Sequence, residues 1–80
     1  MTEIIAVLDR IQPPKVLVRW MLNDGALVVP AGAQNAEIKV RFPRNDVTDV
    51  GHLLKARGYR LVKEDIDPRG GMEGQLIFER

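Results

Sequence analysis

The chain has 80 residues, 45% of them hydrophobic and 29% charged, and its 12 basic and 11 acidic side chains leave a net charge of +1. That size predicts one small domain, residues 1–80, with a thin core, and the composition is too apolar for a disordered chain. The absence of cysteine and the single histidine exclude disulfides and the usual zinc sets, and the near-neutral charge argues against a dedicated nucleic-acid binder on bulk electrostatics.

No apolar run approaches the roughly 18 residues of a membrane span, and the first residues lack a basic segment followed by an apolar one. The expectation is a soluble, uncleaved, cytoplasmic protein with no membrane contact.

In "TEIIAVLDRIQPP", Ile4, Ile5, Leu8 and Ile11 recur at helical spacing with Val7 beside them. Thr2 is placed to cap this helix and Pro13-Pro14 to stop it. A strand is the alternative, but its alternation fails at Ile4-Ile5 and Val7-Leu8. "KVLVRWML" reads as a strand with Val16, Val18, Trp20 and Leu22 on one face and Leu17, Arg19 and Met21 on the other. "NDG" at 23–25 is a turn in which Gly25 or Asn23 takes positive φ. "ALVVP" then returns as the hairpin partner, and Pro30 either ends that strand or leaves its outer side free.

"AEIKVRFP" alternates Ala36, Ile38, Val40 and Phe42 against Glu37, Lys39 and Arg41, a half-buried strand with a basic outer face. "RNDVTDVGHLLKARG" is a helix. Asp46 is placed to cap it, Asp49 lies in its first turn, and Val47, Val50, Leu53 and Leu54 form its buried stripe. Lys55 and Arg57 suit its negative end and Gly58 stops it. Gly51, costly inside a helix, is expected to permit close helix-to-sheet contact. "YRLVKEDI" from Tyr59 and "GQLIFER" from Gly74 are the last two strands. The predicted fold is therefore α+β, an antiparallel sheet of about five strands with two helices in the order α-β-β-β-α-β-β.

The stretch "EDIDPRGGMEGQ" between those strands is the segment most like a site. A calcium loop would need an oxygen ligand where Arg69 stands and a closing bidentate Glu. A phosphate cradle would open a helix, whereas this glycine pair leads into a strand. The remaining reading is a hairpin connection with an acidic tip, Asp65 and Asp67, that a basic partner could grip.

Catalysis lacks its parts. The chain has no Ser or Cys, its hydroxyls are Thr2, Thr48 and Tyr59, and Thr48 and His52 stand together only as helix neighbours. No catalytic set, metal set or cofactor motif is present, so the protein is expected not to be an enzyme and to carry no cofactor or metal.

Charge is unevenly spread. Residues 37–63 hold Lys39, Arg41, Arg44, Lys55, Arg57, Arg60 and Lys63 for a net +4, and residues 64–80 have a net −3. The plain reading is mutual neutralisation; the sharper one is a basic face for a polyanion. Residues 47–79, "VTDVGHLLKARGYRLVKEDIDPRGGMEGQLIFE", resemble the helix-then-hairpin end of winged-helix DNA-binding regulators, which would imply a wing at the Asp-Pro-Arg tip. The chain departs from that pattern with strands at 15–42 in place of a helix-turn-helix, acids at the start of the helix and an acidic tip.

Arg19, Trp20 and Met21 are of the three types enriched at protein interfaces, although a lone Trp is also an ordinary core anchor. If helices cover one face of the sheet, Leu17 and Met21 stay open on the other. The leading expectation is a binding module (adaptor, inhibitor or regulator, of the size of a phage or mobile-element accessory protein) that contacts a protein partner. Its contact residues are expected among Arg19, Trp20, Met21, Lys39, Arg41, Arg44, Asp65 and Asp67. A homodimer is a further expectation. The alternative is a nucleic-acid-binding regulator using the basic middle and the terminal helix and hairpin.

Overall fold

Two periodicities build the chain. The computed structural model describes residues 2–34 and 37–80. Apolar residues at helical spacing form α1 (Thr2–Ile11) and α2 (Val47–Ala56). Alternating or continuous apolar runs form β1 (Lys15–Met21), β2 (Gly25–Ala31), β3 (Val40–Phe42), β4 (Arg60–Ile66) and β5 (Gly74–Glu79). The order is α-β-β-β-α-β-β, an α+β fold with one five-stranded antiparallel sheet ordered β3-β2-β1-β5-β4. The first three strands form a meander, and α2 carries the chain back across the sheet to the far edge. There β4 turns into β5, which fills the place beside β1.

Strand register sorts the side chains. Val16, Val18 and Trp20 of β1 share a face with Ala26, Val28 and Pro30 of β2, Val40 and Phe42 of β3, and Phe78 of β5. All of these are buried, and Ile4 and Leu8 of α1 with Val50 and Leu54 of α2 complete the same core. Both helices therefore lie on one side of the sheet. The apolar layer between them holds the fold, each fully buried aliphatic side chain contributing about 1.5–3 kcal/mol.

The ends of the helices are fixed by identifiable bonds. Gln12, at φ 48°, closes α1 by donating its N–H to the Leu8 carbonyl at 2.8 Å, and the two prolines follow. Asp46 precedes α2 but makes no side-chain cap; its φ of −92° and ψ of 4° continue a 3₁₀ turn (Arg44–Asp46) instead of the extended backbone a cap requires. At the other end Gly58, at φ 90°, lets the Tyr59 N–H reach the Leu54 carbonyl at 3.0 Å and its own N–H reach that of Lys55 at 3.1 Å. This paired closure needs a left-handed residue, and it drives Tyr59 into the core. The Tyr59 hydroxyl then donates to the Pro13 carbonyl at 2.6 Å, and Arg57 pairs with Asp9 of α1.

Three further expectations change. The strand predicted from Ala36 to Phe42 pairs only over Val40–Phe42. Ala36 lies outside the described residues, and Ile38 and Lys39 are irregular. The β2–β3 register puts Val40 opposite Val28, so Pro30 would face position 38, where it has no N–H for the ladder. Leu22 leaves the strand and is exposed in the turn. Gly51 is not demanded by close contact, because a Cβ there would lie 3.8 Å from Phe78 Cζ, an ordinary distance.

Candidate functional site

The second face of the sheet carries no helix among the described residues. Register places three rows of side chains there. Ala31, Lys15, Glu79 and Arg60 form the first row, from β2 to β4. Val29, Leu17, Ile77 and Lys63 form the next. The third is Arg41, Leu27, Arg19, Gln75 and Asp65, from β3 to β4, and Met21 stands beyond it on β1. Leu17, Met21, Leu27, Val29 and Ile77 are each half-exposed. An aliphatic strip thus crosses the middle of the face between two polar rows.

The polar rows are held in place within the sheet. Arg19 donates to Gln75 Oε1 from Nε at 3.2 Å and from Nη2 at 2.8 Å. Lys15 pairs with Glu79 at 3.4 Å. Arg41 and Asp65 stand at opposite edges of one row and make no ion pair among the described residues.

At the hairpin end of this face, Arg19, Met21, Asp65, Asp67, Glu73 and Gln75 line a shallow groove of about 320 Å³ with Trp20 and Gly74. The loop beside it is built around Asp67. Its N–H donates to the Glu73 carbonyl at 2.9 Å, its carbonyl accepts from Gly71 at 3.0 Å, and its carboxylate accepts from the Arg69 N–H at 3.0 Å. This is an Asx turn, so the Asp67 carboxylate is engaged in shaping the loop. The Gly71 carbonyl accepts from Trp20 Nε1 at 2.9 Å and from the Arg44 guanidinium, tying the loop over the indole.

Of the residues named from sequence, Arg19, Trp20, Met21, Asp65 and Asp67 meet around one groove. Arg41 shares their face at its far edge. Trp20 is only 6% exposed and its ring belongs to the covered side. Arg44 is spent on the Gly71 carbonyl, and Lys39 is exposed ahead of β3. Leu27, Val29 and Ile77 were not named. Their signal was the unbroken apolar character of "LVV" and "LIF", which fits strands with two apolar faces.

The remaining chemistry is sparse. No group of three His, Cys, Asp or Glu side chains among the described residues could hold a metal ion. Thr48 and His52 are both exposed on α2. The basic middle is divided, with Arg57 bound to Asp9, Arg44 bound to Gly71, and Arg41 and Arg60 on opposite edges of the sheet. The four aromatics Trp20, Phe42, Tyr59 and Phe78 are all buried. Among the described residues no helix is long and apolar enough to cross a membrane. Comparison with protein-family models, curated proteins and solved structures returned no match to this chain.

Proposed function

We propose that the protein is a small non-enzymatic binding module, an adaptor, inhibitor or regulator, that contacts a protein partner through the uncovered face of its sheet. The observation that carries this reading is the strip of Val29, Leu17 and Ile77, with Leu27 and Met21 beside it, left half-exposed between ordered polar rows. An apolar centre with a polar rim is the usual anatomy of a protein interface. The alternative of nucleic-acid binding draws less support. The buried aromatics offer no stacking platform, and the divided basic residues offer no continuous phosphate track.

Capture from native lysate by the immobilised protein tests the proposal. Leu17→Asp is expected to lower partner recovery about tenfold or more, since losing a central interface residue commonly costs about 2 kcal/mol. Lys55→Glu, on the helical layer, is expected to leave recovery unchanged. A folded Leu17→Asp protein that captures the same partners as wild type sinks the proposal, with circular dichroism as the check on fold.

A further inference from the structure

We infer that the occupant of this face is a second copy of the chain, packed sheet to sheet about a two-fold axis running along β1; this rests on the binding-face reading above and names its partner. The strand order decides what such an axis brings together. With β1 at the centre of β3-β2-β1-β5-β4, a copy turned about β1 lays its β5 over β2 and its β4 over β3. Each row of side chains then meets itself reversed. In the aliphatic row, Val29 falls over the partner's Ile77 and Leu17 over the partner's Leu17. In the row beside it, Leu27 falls over the partner's Gln75, and Arg41 at one edge falls over the partner's Asp65 at the other. The two-fold makes that charge pair twice, as an isologous interface must.

The residues on the axis are compatible with this arrangement. Lys15 and Arg19 would each approach their own copy, and both are already drawn sideways, Lys15 to Glu79 at 3.4 Å and Arg19 to Gln75. An axis across the strands would instead set Lys15 against the partner's Arg19. Sheets stacked face to face are rotated by about 30°, which offsets edge positions along the strands, and the Arg41 side chain is long enough to reach across such an offset.

The edges themselves are poor docking sites. β3 has three residues. β4 carries Lys63, Glu64 and Asp65 and a register shift between Leu61 and Lys63, devices that discourage edge pairing. Five strands about 4.8 Å apart and at most seven residues at about 3.3 Å give a face of no more than about 24 by 23 Å. That is at the small end for a stable pair, so the dimer is expected to dissociate on dilution.

Charge exchange across the axis is the test, read by sedimentation over a concentration series. Wild type is expected to pass from monomer to dimer. Arg41→Glu opposes Glu to Asp65, and Asp65→Arg opposes Arg to Arg41, so each variant alone is expected to self-associate about tenfold or more weakly. Mixing the two variants is expected to restore a dimer, because both contacts between positions 41 and 65 are then between opposite charges. Both positions are exposed, and circular dichroism checks that each variant is folded. A wild type that stays monomeric, single variants that dimerise like wild type, or a mixture that stays monomeric each overturns the inference. A monomer that still captures a partner in a Leu17-dependent way overturns the second copy and leaves the binding face standing.

Discussion

A methyl group added at Gly74 would sit 2.2 Å from Cζ2 of Trp20, whereas one added at Gly51 would meet Phe78 Cζ at 3.8 Å. Gly74→Ala is therefore expected to displace the indole and its bond to Gly71, destabilising the protein by about 2–3 kcal/mol as overpacked cores do. Gly51→Ala is expected to stabilise it by about 1 kcal/mol, through helix propensity with no clash. Urea denaturation of both variants checks the pair, and the opposite outcome for either would contradict the contact that argues it. Nothing local in the sequence separates these glycines, because their environments come from strands far along the chain. Tyr59 is a second buried anchor. Burial raises its pKa above the ordinary 10.0, with the charges of Arg80 and Arg57 opposing part of the rise. The folded state thus holds the neutral phenol more strongly than the unfolded chain does. That stability is complete below pH 10.0 and is lost as pH climbs from there towards the raised value. Tyr59→Phe is expected to cost about 1–2 kcal/mol at neutral pH, from the lost bond to Pro13. It is also expected to show a smaller decline than wild type as pH rises above about 10 in denaturation curves.

Elements were legible in proportion to how local their causes are. The stripe of Ile4 and Leu8 and the alternation of Val16, Val18 and Trp20 place α1 and β1 directly, since each pattern is written within a few residues. β3 is shorter than its own alternation predicts because its length is set by a residue of another strand, Pro30. Similarly, Asp46 has the right type and place for a cap, yet the 3₁₀ turn ahead of α2 removes the geometry. The β4 edge shows what local sequence does to association. Val62 stands at the register shift and is 45% exposed, flanked by the charged run Lys63, Glu64 and Asp65. Replacing two of those charges, as Lys63→Val with Glu64→Thr, is expected to open the edge to other strands. Light scattering should then grow with concentration while wild type stays clear; a double variant as clear as wild type would show that the bulge alone protects the edge.

For the whole molecule, the pattern of residues predicts five strands and two helices but leaves open which strands are neighbours. That depends on β5 taking the place beside β1, with Arg19 and Gln75 meeting from 56 positions apart. The same insertion assembles the candidate face. Val29 and Leu17 come from the first hairpin, Ile77 and Asp65 from the last, and only the finished sheet sets them in rows. Continuous apolar runs signalled that some strands have two apolar sides, but a helix on each side would have produced the same runs. The placement of β5 also imposes an order in time. During synthesis at about 5–20 residues per second, β1 emerges about 3–11 s before the strand that completes it. Until then the nascent chain holds its central strand with one flank unpaired, and Trp20 has neither Gly74 beside it nor the Gly71 carbonyl to bind.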